Sequence, residues 1–521
     1  MGRAFFKARL SRPSGETPGM EATTISLRET LGPVSFVGAG DVVASDFCCD
    51  SRIVQPGQVF VAVAGPSYDG HRYLEAAAAG GASAAIVERP HPKISIPQCV
   101  VPNSREAYAS LCMAQYGRPE KYLSIAGVTG TNGKTTSTWL LRSILEAAGK
   151  ITGLLGTIEY SDGRTRSPAS LTTPASPQLA HLLAQMAQEN ASHCVMEISS
   201  HALDQRRCSA VPLSVAAITN VTRDHFDYHG TVDRYREVKS MIARQLKPGA
   251  ALLLGMDDEG CRHVLNLLPS TSSVLTFGFH ESAQLRAEVL SAELNQQHVR
   301  LHLLSGIVEF SSALVGRHNV LNLLTAAGLA EQLGVDLPVI ADSLESVTHV
   351  PGRMERLAAG QPFTALIDYA HTPDGIMQCV ATARSMTKGR VILVFGAGGD
   401  RDREKRPLMA ESAQDADQIF VTSDNPRSES PQQIILEICC GFDAKQSYEV
   451  CIDRNKAIQL AVQSAQPGDV VVIAGRGHES TQQIGARSIC FDDRKVTLRH
   501  LRELMIARSQ TEPRMSDSVP A

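Results

Sequence analysis

One stretch limits what this chain can fold into more than any other. Leu123-Ser124-Ile125-Ala126-Gly127-Val128 is a short apolar run of the kind that forms a buried strand, and it leads straight into Thr129-Gly130-Thr131-Asn132-Gly133-Lys134-Thr135-Thr136. Beyond it, Leu141, Ile144, Leu145 and Ala148 share one helical face, and Gly149 supplies a stop. Strand, glycine-rich turn and helix in that order make a cradle for phosphate. Glycines let backbone N–H groups close round the oxygens, and the helix N-terminus adds its partial positive charge. In such a cradle Gly130, Thr131, Asn132, Gly133 and Thr136 surround the anion. Lys134 reaches the β- and γ-phosphates, and the Thr135 hydroxyl is placed to hold Mg²⁺. Val128 stands where the strict pattern has its first glycine. The loop predicts nucleotide binding but does not separate a ligase from a motor or a kinase.

A single core does not extend over 521 residues, so several domains are expected. The apolar runs place them at 21–120, 121–350 and 351–508. Strands alternate with helices in the second and third segments, which predicts parallel sheets with crossover helices. The fold class is therefore α/β: an N-terminal α/β domain, a central phosphate-loop domain on a parallel sheet, and a Rossmann-like C-terminal domain. The basic residues 1–20 lack the apolar stretch of a signal peptide, Met20 is an alternative start, and 1–20 and 509–521 are expected to be disordered.

Composition narrows the partners. With 43% hydrophobic and 20% charged residues and a net charge of −4, nothing points to nucleic acid or a membrane surface. No apolar run approaches the roughly 18 residues that span a bilayer. Twelve cysteines without CxxC spacing are read as reduced thiols, which predicts a cytoplasmic protein.

Two further strands end in polar residues. His193 to Met196 leads into Glu197, and Val215 to Ile218 leads into a segment containing His225. Ligands of an open parallel sheet gather at the carboxyl ends of its strands, so Glu197 and His225 are expected to share a site with the phosphate loop.

These residues together carry a resemblance. Gly127 to Thr136, Met196-Glu-Ile-Ser-Ser-His201 and Asp224-His-Phe-Asp-Tyr-His-Gly230 resemble the Mur ligase family. Gly316-Arg-His-Asn-Val-Leu-Asn322, Pro351-Gly-Arg-Met-Glu355 and Asp368-Tyr-Ala-His-Thr-Pro-Asp374 continue the match in the same order. The resemblance implies ATP as the nucleotide and two Mg²⁺ ions, with Thr135, Glu197, His225 and Lys239 around the metal. Lys239 matches the lysine that the family carbamylates, a reaction in which a neutral amine captures CO₂. Asn319, Arg353 and His371 are implied to bind ATP or to close the domains over it. In the first segment Ser51 and Ser67 match contacts to uridine diphosphate. Thr172, Thr173, Ser199, Gln205 and Arg207 match positions that hold a muramoyl-peptide; Leu171 departs from the asparagine of many relatives.

In the third segment three apolar strands each end in a polar loop. Val391 to Phe395 precedes Gly396-Ala-Gly-Gly-Asp-Arg-Asp-Arg-Glu-Lys-Arg406, Gln418 to Thr422 precedes Asp424-Asn425-Pro426-Arg427, and Val470 to Ala474 precedes Gly475-Arg-Gly-His-Glu479. Arg401 occupies the last glycine position of a dinucleotide fingerprint, which argues against that reading. Arginines for carboxylate and acids for ammonium suit a zwitterion, and Arg427 could hold a second carboxylate through two bonds. Arg401, Asp424, Asn425, Pro426, Arg427, Gly475 and Glu479 match the amino-acid pocket of the branch that adds diaminopimelate. The resemblance thus implies a monomeric, ADP-forming amide ligase of peptidoglycan synthesis. It would add meso-diaminopimelate to UDP-N-acetylmuramoyl-L-alanyl-D-glutamate through an acyl phosphate. L-Lysine or another acceptor, a non-ligase phosphate-loop ATPase, and a silent scaffold are the alternatives.

Overall fold

The computed structural model describes residues 24–65, 68–293 and 295–511. Ser67, the expected leader and residues 512–521 therefore lie outside the described residues. The described residues form two compact units: one built from those up to Gly127 with Gly149–Ala216 and Met241–Ala250, the other from Val128–Ala148, Ala217–Ser240 and those from Ala251 to residue 511.

The first unit opens with a five-stranded sheet in the order Ser35–Val37, Gln98–Val100, Ala84–Val87, Val59–Val61, Phe47–Cys48. All its neighbours are parallel except the pair at the Ser35–Val37 edge. Val59-Phe60-Val61 and Ala84 to Val87 are buried on both faces, which is why they read as continuous apolar runs rather than alternating ones. Helix Ser104–Gln115 covers one face and starts where the Asn103 side chain accepts from the N–H groups of Arg105 and Glu106. The same unit holds strand Thr152–Leu155, parallel to His193–Glu197 on one side and antiparallel to Glu159–Ser161 on the other. The first residues of strand Ser124–Thr129 run between two neighbours, since Ser124 N–H donates to Ser192 O and Ser214 N–H to Ile125 O.

In the second unit helix Lys134–Ala147 packs against helix Arg317–Gln332. Strands Ala251–Gly255 and Ser273–Gly278 are parallel. An antiparallel meander of Leu285–Ala292, Gln297–His302 and Ile307–Ser312 follows them. The expected parallel sheet covers only the first part of this arrangement, and the meander is an addition to it. Burial alternates along Gln297–His302, so its signal is a period-two pattern that a search for continuous apolar runs passes over.

The last sheet of this unit has the order Glu355–Leu357, Thr364–Ile367, Val470–Ile473, Val391–Phe395, Gln418–Val421, Tyr448–Val450, antiparallel only at the first pair. Its central strands are buried against apolar helices on both faces. Because the strands are parallel, their carboxyl ends all emerge at one edge, and the three polar loops leave from there. Hairpin Thr481–Ile484 with Arg487–Cys490 comes next, and helix Asp493–Thr511 extends three residues into the tail expected to be disordered. All twelve cysteines are free.

Leu393 is fully buried in the central strand Val391–Phe395. Replacing it by alanine should lower unfolding stability by about 2–5 kcal/mol, since the sheet between two helical layers cannot collapse into the void. Denaturant melts of both proteins measure the difference; a loss below about 1 kcal/mol would show a more pliable core.

Candidate active site

The phosphate loop is fixed by the loop after Ile218. Thr219 N–H donates to Thr129 O and Thr131 N–H to Asn220 O. Asn132 N–H donates to Asn220 Oδ1 at 2.8 Å, and the Thr219 hydroxyl to Asn132 O at 2.6 Å. Gly133 begins the helix at φ +87, and a Cβ there would collide with the Asn322 side-chain oxygen. Asn322 is in turn held by Asn319, whose own amide donates to Val315 O. Asn319 is thus a buried brace of the loop's floor.

Two lysines converge on this loop. Lys134 Nζ donates to Gly130 O and Thr131 O, both at 2.8 Å. Lys239 Nζ donates to Thr129 Oγ1 at 3.0 Å and to the same Gly130 O at 2.8 Å. Burial above all, and then the neighbouring Lys134, hold the Lys239 amine well below the ordinary lysine range. Arg353 donates to Thr135 Oγ1 at 2.9 Å and lies over the Tyr369 ring. Asn132 Nδ2 donates to Asp374 at 2.7 Å. His371 Nδ1 lies 2.7 Å from Tyr369 O; a carbonyl only accepts, so Nδ1 carries the proton and Nε2 is the free acceptor. Burial, reinforced by Lys405, lowers His371 to about 4, so the ring is neutral at neutral pH.

His225 adopts a left-handed backbone, φ +57, with Nε2 3.3 Å from Asp224. Asp224 is buried and pairs with Lys405 at 3.2 Å. Burial opposes its ionisation, but His225 and Lys405 overcome this and keep it anionic. Both Asp224 and Lys405 stand in quoted motifs, but neither is among the expected site residues.

Glu197 lies in the first unit, and its surroundings there are well defined. Both carboxylate oxygens accept from Thr157, from N–H at 2.7 Å and from the hydroxyl at 2.9 Å. Thr157 Oγ1 is 3.1 Å from Thr172 Oγ1. The Thr173 hydroxyl donates to Glu197 O at 2.8 Å and accepts from Ser199 N–H. Arg207 forks onto Gln205 Oε1 and also reaches Thr173 O. The five candidates Thr172, Thr173, Ser199, Gln205 and Arg207 therefore form one connected patch with Glu197. Thr157 and Arg105, which bridges Ala64 O and Gln205 O, join it unforeseen. Ser51 sits in the turn after strand Phe47–Cys48, between the ion-paired Asp50 and Arg52.

The three loops of the last sheet come into contact. Arg427 Nη1 donates to Gly399 O at 2.6 Å, and Asn425 Nδ2 to Glu479 Oε2 at 2.8 Å. Gly475, at φ +115, lets Asp424 approach: a Cβ there would stand 2.6 Å from Asp424 Oδ2. That oxygen is buried and has no hydrogen-bond partner among the described residues. Arg401 folds back onto Asp400 O and lies in electrostatic reach of Arg427. Burial first, and Asp424 second, raise the Glu479 carboxyl. Pro426 O closely approaches Gly399. A fourth element was not foreseen. Hairpin strand Thr481–Ile484 lies along the Asp424–Arg427 loop, with Arg427 N–H donating to Gln483 O and Gln483 N–H to Asn425 Oδ1 at 2.9 Å. Its only sequence signal is two adjacent glutamines.

No group of three or more His, Cys, Asp or Glu side chains able to hold a metal ion occurs among the described residues.

Residues 128–330 match the model of the Mur ligase middle domain and 352–477 that of the Mur ligase, glutamate ligase domain. UDP-N-acetylmuramoyl-L-alanyl-D-glutamate–2,6-diaminopimelate ligase of Geobacillus thermodenitrificans is 42% identical over 475 residues, 89% of this chain and 96% of that one. This chain belongs to the Mur ligase family. The enzyme of the same name from Syntrophomonas wolfei is 39% identical over 89% of this chain and 96% of its own. A solved structure under that name superposes with a TM-score of 0.65 at 32% identity, covering 93% of this chain and all of the other. The MurF ligase of Thermotoga maritima in complex with ADP shares the fold, with a TM-score of 0.58 at 20% identity over 89% of this chain and 98% of its own.

Two tests follow from the charges of this Mur ligase. Lys405→Met would strand the buried Asp224 carboxylate and should cost about 3–5 kcal/mol of stability, read from denaturant unfolding. Glu437 is the second case: hydrogen bonds from Arg403, aided by Gln433 and Arg406, lower it to about 2 against the pull of desolvation. Its folded pKa is depressed, so its contribution is complete above the ordinary carboxylate range near 4.3 and is lost as pH falls toward about 2. Glu437→Gln should flatten the pH dependence of unfolding in that window; an identical acid limb would contradict the assignment.

Proposed function

We propose that the protein is an ATP-dependent ligase that joins meso-diaminopimelate to UDP-N-acetylmuramoyl-L-alanyl-D-glutamate, releasing ADP and phosphate. The observation that carries this reading is the pocket at the ends of the last sheet. A buried, unpartnered carboxylate oxygen of Asp424 and the Glu479 carboxylate share it with Arg427 and Arg401. That pattern complements the far head of diaminopimelate, with its ammonium and carboxylate. Lysine offers only the ammonium and would leave both arginines without an anion. The names of the relatives support the same substrate.

On this reading Gly130 to Thr136 cradle the ATP phosphates, and Lys134 turns from the loop carbonyls to the β/γ-oxygens, stabilising charge on the transferring phosphoryl group. Thr135, Glu197, His225 and Lys239 are the metal set. Bound Mg²⁺ would neutralise phosphate charge and reduce repulsion between two anions. Burial shifts the Lys239 amine toward its neutral form, the form that adds CO₂, which favours its carbamylation. Thr157 orients Glu197 from behind. The γ-phosphoryl group passes to the free carboxylate of the D-glutamate residue, the amine of the incoming amino acid attacks the acyl phosphate, and phosphate leaves. Ser51, Ser67, Thr172, Thr173, Ser199, Gln205 and Arg207 hold the nucleotide-sugar peptide. Asn319 and His371 support the ATP site, and Arg353 contacts the phosphates from its place on Thr135. The domain boundaries 21–120, 121–350 and 351–508 are retained for this scheme, with the reaction in the cytoplasm and the enzyme a monomer.

ADP release from the full chain, with UDP-muramoyl-dipeptide and a panel of amino acids, should depend on diaminopimelate. Release without any amino acid, or a preference for L-lysine, would refute the substrate. Arg427→Ala should raise the KM for diaminopimelate by on the order of 10–100-fold while leaving the KM for ATP in place.

A further inference from the structure

The amino-acid pocket rests on a cation that does not line it. Arg454, the first residue of helix Arg454–Ser464, is fully buried. Its Nε and Nη2 donate to the two oxygens of Asp493 at 2.8 and 2.7 Å, a forked pair with no exposed atom on the carboxylate side. The guanidinium then makes two more bonds. Nη2 donates to Ala474 O at 2.9 Å and Nη1 reaches Ser423 O at 3.4 Å. Ala474 immediately precedes Gly475, and Ser423 immediately precedes Asp424. The two carbonyls thus belong to two different loops of the pocket, and one planar group spans them. The same positive charge also acts on Asp424 and Glu479.

An ion pair buried this deeply is a poor device for stability alone. Desolvating both partners offsets most of their attraction, and an apolar pair of similar volume often serves as well. Fastening the last helix, which begins at Asp493, would need only the fork. It would not need the bonds to Ala474 and Ser423.

We propose that Arg454, oriented by Asp493, is a positioning residue for the amino-acid substrate. It sets the spacing between the Asp424 loop and the Gly475–Glu479 loop, and it supplies the positive charge against which the buried Asp424 and the half-buried Glu479 carboxylates can face one ammonium. The inference rests on the reading of this pocket as the amino-acid site.

The test uses the full chain, with diaminopimelate-dependent ADP release and thermal unfolding measured on the same preparations. In the double variant Arg454→Met/Asp493→Leu the two charges leave together, so stability should stay near that of the parent. The KM for diaminopimelate should rise by on the order of 10–100-fold, with kcat and the KM for ATP changed by no more than about twofold. Arg454→Lys keeps the charge but not the fork, and should raise the same KM by a smaller factor. It also serves if the double variant does not fold. An unchanged diaminopimelate KM in a folded variant overturns the inference alone. A parallel rise of the ATP and diaminopimelate KM values does the same, because it marks a general structural role. If the parent protein releases ADP without regard to the amino acid, the pocket reading itself has failed, and this inference with it.

Discussion

The grip of one strand-end loop on another underlies the chemistry of this Mur ligase. The segment after Thr129 has no regular structure of its own, and its glycines cost conformational entropy to order. It is held because Thr219 and Asn220 answer it bond for bond, through backbone at Thr129 and Thr131 and through the Asn220 amide and Thr219 hydroxyl at Asn132. Two parallel strands, Ser124–Thr129 and Val215–Ile218, end side by side, and their loops complete each other. Loosen that pairing and the helix N-terminus, Lys134 and Lys239 all lose their common reference point.

Around this frame the molecule buries charge on a scale that hydrophobic packing alone would not require. Asp224 with Lys405, Arg406 with Glu429 and Glu437, and Arg454 with Asp493 are all largely or wholly shielded from water. Each such pair contributes little net stability, yet breaking one leaves a costly unpaired ion. They therefore act as fixed geometric ties. Each joins segments distant in the chain: Asp224 lies beside His225, while Lys405 and Arg406 follow Arg401 in the glycine-rich loop. Backbone strain collects in the same places. Among the described residues, four of the seven non-glycine residues with positive φ are His225, Met354, Asp400 and Arg427. Strain of roughly 1–3 kcal/mol each persists only where the surroundings over-determine it.

The dividing line between the compact units also sorts the chemistry. The candidates for the nucleotide-sugar peptide among the described residues, Ser51, Thr172, Thr173, Ser199, Gln205 and Arg207, belong to the first unit. Those for ATP and the amino acid belong to the second. Glu197 alone of the proposed metal set belongs to the first. A strand shared in sequence between the units, Ser124–Thr129, carries the chain from one to the other just before the phosphate loop.

Much of this was legible in the sequence because local chemistry dictates it. A glycine-rich turn between an apolar strand and an amphipathic helix has few other uses, and polar residues placed at strand ends announce a ligand edge whatever the sheet order. That logic reached Lys134, Glu197, the Asp424–Arg427 loop and Glu479 directly. Lys239 was reached only through resemblance, since a helix lysine carries no signal of its own burial. Other features depended on partners far away in the chain. Lys405 looks like one more charge in a basic run until Asp224 closes on it. Thr157 is an ordinary strand-end threonine until Glu197 accepts both of its hydrogens. Arg454 reads as a solvated helix start until Asp493 and two loop carbonyls surround it. The antiparallel meander and the glutamine hairpin escaped for a related reason: their alternation is weak, and their register is set by neighbours. Sequence by itself determined the elements and the chemistry at their ends. Only tertiary structure decided which charges are buried together, because burial and pairing are properties of the folded neighbourhood and not of any residue alone.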